Sequence, residues 1–163
     1  MPSNKIDEFY RKFFEIIEKN QEAAQDLLAE LVALKTISAD PNCKQQVLDI
    51  PKKVVDIFSK NLKNVDLFLA ENPNNDPEKN IDYLPPFILG HYPKIPDPNK
   101  KTVVIYTHLD VQPADIADGW NTDPFVLTRK DNFMYGRGTA DCKGPSVGWF
   151  YVLKAFEELN QEM

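Results

Sequence analysis

The sequence predicts an α/β fold: a three-layer α/β/α sheet with helices on both faces, preceded by N-terminal helices. Three observations carry that expectation. Apolar stripes of helical period occupy both ends of the chain. Between them the period changes to that of extended segments. The strongest extended run, Thr102-Val103-Val104-Ile105-Tyr106, is apolar almost without a break, as in a strand covered on both faces at the centre of an α/β sheet.

Taken in order, residues 5–19 read as an amphipathic helix, with Ile6, Phe9, Tyr10, Phe13, Phe14 and Ile17 at three- and four-residue steps. Residues 21–36 read as a second helix with Leu27, Leu28, Leu31 and Leu34 on its buried stripe. The cluster Ser38-Ala39-Asp40-Pro41-Asn42 is a turn. A third helix covers 44–62, and Pro51 either kinks it or opens a new helix at its first turn. Val65 to Leu69 and Phe87 to Gly90 read as strands, separated by a polar, Asn/Pro-rich loop at 71–82. Pro93 to Lys101 is a turn leading into the strong strand. Phe125 to Arg129 and Phe133 to Tyr135 flank Asp131-Asn132 as a hairpin. Residues 146–159 close the chain as a helix. No internal repeat and no linker divides the 163 residues.

Composition narrows the function. With 42% hydrophobic and 27% charged residues the chain is neither collagen-like nor mainly disordered. Lys+Arg 19 against Asp+Glu 25 leaves a net charge of −6 and no basic block, which argues against nucleic-acid or anionic-lipid partners. No signal-peptide h-region follows the start, and no apolar run reaches the length of a membrane span. A cytoplasmic setting is expected, with Cys43 and Cys142 as free thiols.

The chemistry concentrates in 106–145. The strong strand runs into Thr107-His108-Leu109-Asp110, and ligands of open α/β sheets bind outside the carboxyl ends of strands. His108 can ligate a metal while Asp110 orients it from behind. The alternative is a hydrogen-bonded histidine beside a turn-forming aspartate. Further on, Gly136, Gly138 and Gly144 bracket Asp141-Cys142-Lys143 in a tight loop entering a helix. Asp141 can ligate one metal or bridge two, or it can cap the following helix. The loop lacks the spacing of a phosphate-binding P-loop.

Together the strings Thr107-His108-Leu109-Asp110-Val111-Gln112-Pro113-Ala114, Gly119-Trp120, Asp123-Pro124-Phe125, Tyr135-Gly136-Arg137-Gly138 and Asp141-Cys142-Lys143-Gly144-Pro145 closely resemble the M20 family of di-metal peptidases. The nearest branch is the cytosolic non-specific dipeptidase/carnosinase group. Weaker likeness extends upstream through Leu84-Pro85-Pro86-Phe87 and Leu31 to Ala39. The resemblance implies hydrolysis of dipeptides or short peptides with two divalent metal ions, zinc or manganese. It places His108 as a metal ligand, Asp141 as the carboxylate bridging the metals, and Asp110 as the catalytic-site residue that orients His108. Water activated by the metals attacks the peptide carbonyl in such enzymes, with a downstream glutamate as general base. The same architecture also serves deacylases of N-acyl amino acids.

Departures from the family pattern shape the rest. Cys142 stands where a second aspartate is common, a position not expected to bind metal, although a thiol there could coordinate zinc adventitiously or oxidise. Thr107 replaces a usual glycine. The family's Glu-Glu pair, a further acidic ligand and a distant C-terminal histidine have no counterpart; Glu157-Glu158 lies on a helix too soon after the loop, and His91 matches no family ligand. The family's lid domain, which often carries the homodimer interface, has no counterpart either. The expectation is that residues 1–163 are the N-terminal part of one incomplete catalytic domain, inactive in isolation. The alternative is a truncated, non-catalytic fragment that pairs with another chain.

Overall fold

The computed structural model describes residues 3–75 and 84–161. Four helices frame it: α1 (Ser3–Lys19), α2 (Gln21–Val32), α3 (Lys44–Asn61) and α4 (Lys143–Glu158). Strands β1 (Asp66–Ala70) and β2 (Phe87–His91) pair antiparallel with Phe68 opposite Leu89. Strands β3 (Thr128–Lys130) and β4 (Phe133–Tyr135) form a second antiparallel pair with Arg129 opposite Met134. Asp131 and Asn132 join β3 and β4 with φ of 52° and 62°. Such left-handed pairs match the twist of a tight hairpin, and Asp and Asn tolerate them best.

The core is helical. Leu27, Leu28, Leu31 and Val32 of α2 meet Ile50 and Val54 of α3 and Val147, Phe150 and Tyr151 of α4. Phe58 and Phe150 pack in a tilted pair with ring centroids 4.4 Å apart. On the far side of α4, Phe9 and Phe13 of α1 rest on Phe156 at 5.8 and 5.5 Å. The stripe read from the sequence explains the buried face of α2, whereas Ile6, Tyr10 and Phe14 of the α1 stripe are exposed. Pro51 is buried inside α3, which continues through it.

The α/β class and its incompleteness hold. The expected three-layer sheet is the point of difference. Among the described residues the strands form two separate two-stranded sheets, and no strand pairs with 102–106. Val103, Val104 and Tyr106 are 75%, 85% and 82% exposed. A strand covered on both faces needs hydrogen-bonded neighbours and a layer on each side, and the described residues supply neither. The chain is instead anchored just beyond. Val111 N–H donates to Thr36 O at 2.9 Å, forming an isolated parallel bridge between Ile37 and Val111. Ile37, Cys43, Val111 and Phe125 make a second small core there.

Helix boundaries differ in two informative places. Helix α2 stops at Val32, before the expected 36, and α4 starts at Lys143, before the expected 146. Both ends meet at one side chain, described below. Residues 76–82 of the expected loop lie outside the described residues. Among the described residues no helix is long and apolar enough to cross a membrane.

Leu31 is 1% exposed at the centre of the helical core. Leu31→Ala is expected to destabilise the chain by about 2–5 kcal/mol through lost transfer energy and a residual cavity. Urea unfolding followed by circular dichroism checks this, and an unchanged midpoint contradicts the packing described.

Candidate metal centre

Three short segments build the site. The first, 36–38, clamps the second. Thr36 Oγ1 donates to Leu109 O at 2.6 Å, and Ser38 Oγ donates to Asp110 Oδ2 at 2.8 Å. With the Val111 bridge these bonds hold 109–111 rigidly, and His108 lies immediately before them. Its Nδ1 faces Asp110 O at 3.0 Å and Asp110 Oδ1 at 3.3 Å. Its Nε2 faces Asp141 Oδ1 at 2.9 Å, across 33 residues of sequence.

The third segment is the glycine loop. Gly138 has a φ of 92°, and a Cβ there would press on Val111 Cγ1 at 3.2 Å and on the Lys143 stem at 3.0 Å. Glycine answers both constraints. A Cβ on Gly144 would overlap the carbonyl oxygen of Thr139. The Asp141–Cys142 peptide is cis. Cys142 is the N-cap of α4 and makes no side-chain cap bond. Asp141 therefore does not cap α4; its carboxylate turns to His108 and is 80% exposed.

Lys143 organises the loop. It is fully buried, and Nζ donates to Leu31 O and Leu34 O, both at 2.8 Å. These are carbonyls at the C-terminal end of α2, where helices lack internal donors and favour cations. Burial pushes the Lys143 ammonium down to about 8, against the opposing pull of the Asp110 charge.

An open cleft of about 390 Å³ lies over these groups, lined by His108, Asp110, Asp141, Arg137 and Trp120 among others. Arg137 donates from Nη2 to Pro113 O at 3.1 Å, and its guanidinium lies 5.4 Å from the Trp120 ring centre. It holds the two walls of the cleft together.

The charges are mutually reinforcing. Burial disfavours the His108 cation, but the Asp110 carbonyl, the Asp141 side chain and both carboxylate charges outweigh it, so its pKa is raised. Hydrogen bonds from Cys142 and then His108 lower that of Asp141. The Cys142 thiol is raised, chiefly by its hydrogen bond to Asp141 and by burial, with a backbone hydrogen bond from His108 opposing. A histidine, a carboxylate and a thiol whose donor atoms all lie within 4.8 Å of one another form a chemically suitable group for a divalent metal ion.

The structure brings His108, Asp110 and Asp141 together. His91 lies apart at the end of β2, exposed, with Nε2 3.6 Å from Asp66 Oδ2. Glu157 is occupied elsewhere, accepting from the backbone N–H groups of Lys63 and Asn64 at 2.9 and 2.6 Å. Sequence reasoning assigned nothing to Lys143, Arg137, Thr36 or Ser38. The one available signal was a lysine set between two close-packed glycines.

A histidine and a carboxylate brought together in an open cleft, with a second carboxylate behind the ring, form an arrangement that metal-dependent hydrolases use. Residues 104–163 match the model of peptidase family M20/M25/M40. The chain is 38% identical over 153 residues to the Cys-Gly metallodipeptidase dug1 of Schizosaccharomyces pombe, covering 91% of this chain and 31% of that protein. It is 36% identical over 157 residues to human Beta-Ala-His dipeptidase, covering 93% and 30%. The crystal structure of human carnosine dipeptidase 1 superposes with a TM-score of 0.80 at 34% identity, over 94% of this chain and 32% of that one. The chain belongs to the M20 peptidase family and spans about a third of the length of the relatives it matches.

Two outcomes test the electrostatics. His108 in the metal-free chain is expected to titrate above 6.5 by NMR, and Asp141→Asn to lower that midpoint. Because the folded value exceeds the unfolded one, this contribution to stability is full below pH 6.5 and is lost as pH rises through the folded value. Lys143→Met strands two carbonyls and is expected to cost about 1–3 kcal/mol for each. The lysine's depressed value means the unfolded chain binds more protons between about 8 and 10.5. Wild-type stability therefore rises relative to the variant across that window. Urea unfolding of both proteins at pH 7.5 and 9.5, values chosen roughly to straddle the folded midpoint, reads the sign.

Proposed function

We propose that the chain is part of a metal-dependent dipeptidase that hydrolyses dipeptides or short peptides with two divalent ions, zinc or manganese. The single observation that carries this reading is the contact of His108 Nε2 with Asp141 Oδ1 at 2.9 Å, with Asp110 behind the ring. The kinship with named metallodipeptidases supports it.

In this reading His108, through Nε2, and the Asp141 carboxylate would hold the metal ions. Asp110 binds Nδ1, which fixes the ring orientation and leaves Nε2 directed at the cleft. Ser38 in turn fixes Asp110. Bound divalent ions would polarise the scissile carbonyl and lower the pKa of water. Arg137 and Trp120 shape the cleft that receives the peptide. Among the described residues no glutamate lines the cleft, and Glu157 already holds two backbone amides. Residues 1–163 are then the N-terminal part of a catalytic domain, with the base, remaining ligands and dimerising lid supplied by a longer cytoplasmic protein.

Two measurements test this. The 163-residue chain is expected to bind zinc or manganese by calorimetry without hydrolysing Cys-Gly, and Asp110→Asn is expected to weaken that binding roughly 10- to 100-fold. A chimera in which this chain replaces the matching third of the S. pombe metallodipeptidase is expected to hydrolyse Cys-Gly, and His108→Ala to abolish it. Turnover by the isolated chain that survives His108→Ala, or a folded, metal-loaded chimera without activity, overturns the proposal.

A further inference from the structure

The site contains a donor that the family reading leaves idle. Cys142 directly follows Asp141, is partly exposed and is not in a disulfide. It stands at the N-cap of α4 without making the cap bond that position invites. Its Sγ lies with His108 and Asp141 in one cluster, no two donor atoms more than 4.8 Å apart, with His108 Nε2 2.9 Å from Asp141 Oδ1. Around a tetrahedral zinc ion with ordinary Zn–N, Zn–O and Zn–S bonds, donor atoms sit about 3.3–3.8 Å from one another. The cluster brackets that spacing, so an ion requires only small side-chain movements.

We propose that Cys142 is a metal ligand of this chain, its Sγ completing with His108 and Asp141 a three-donor site selective for thiophilic divalent ions. Three protein ligands with one position open is the arrangement of catalytic zinc. A thiolate favours zinc or cadmium over manganese, which prefers oxygen donors. A sulfur donor added at this position therefore shifts metal choice toward thiophilic ions. Binding displaces the thiol proton, and the proton shared by His108 and Asp141, to solvent as the metal bonds form. The other thiol is not available to the site. Cys43 is buried in the second small core, where Sγ lies 3.7 Å from Asp40 Oδ2.

The inference rests on metal binding at His108 and Asp141, and the experiment separates the two. The complete 163-residue chain is titrated with cobalt(II) and, separately, loaded with zinc for X-ray absorption. Cobalt is expected to show a thiolate-to-metal charge-transfer band in the near ultraviolet. The band is lost in Cys142→Ser and kept in Cys43→Ala. The zinc spectrum is expected to contain one sulfur at about 2.3 Å beside nitrogen and oxygen at about 2.0–2.2 Å. The zinc measurement uses the wild-type chain, so it stands even if Cys142→Ser fails to fold. Stoichiometric cobalt binding without the band, or a zinc shell of nitrogen and oxygen alone, overturns the role of Cys142 and leaves the His108–Asp141 site standing. A band that survives in Cys142→Ser overturns it equally. Absence of any bound metal overturns both.

Discussion

The buried ammonium of Lys143 is the contact on which the arrangement depends. Its Nζ binds two carbonyls at the end of α2 while its own backbone opens α4. One side chain thereby ends the second helix, starts the fourth and pins the glycine loop between them. Burying a charge is costly unless it is hydrogen-bonded and electrostatically matched, and the C-terminal end of a helix supplies both. The stem of the lysine packs against Gly138, so the loop has little freedom left. Asp141 and Cys142 project from the segment between those fixed points. Their position in the cleft follows from the clasp.

A second constraint meets the first from the opposite side. Thr36 and Ser38 follow directly on the residues that Lys143 grips, and they bind Leu109 and Asp110. The end of α2 is thus tied at once to the loop that carries Asp141 and to the segment that carries His108. Two groups far apart in sequence come within hydrogen-bond distance because both are fastened to the same short stretch, 31–38. That fixes the relative position of His108 and Asp141, although the apolar segment just before His108 is exposed.

The exposed run Val103 to Tyr106 has the composition of a central strand and none of its partners among the described residues. Local composition encodes the demand for burial on both faces, but satisfying it requires other strands. The same holds for the site's chemistry. His108 and Asp141 are present with their orienting groups, while no glutamate is among the described residues that line their cleft.

Much of this protein was legible in its residues. The helical stripe of the second helix named Leu27, Leu28 and Leu31 as core because burial follows a 3.6-residue period. The positive φ at Asp131 and Asn132 was implicit in a tight hairpin with those residue types. His108, Asp110 and Asp141 were identifiable because motif spacing reflects chemistry. Other features depended on distant partners. The end of α2 at Val32 could not be read from a stripe that continues to Leu34, because a lysine more than a hundred residues away competes for its carbonyls. Nor could local pattern say whether Asp141 caps α4 or faces a histidine, since both uses suit the same turn. The sequence by itself determined the helices, the family and the residues capable of chemistry. Only the tertiary structure decided which of them meet, because that depends on long-range hydrogen bonds that no local period encodes.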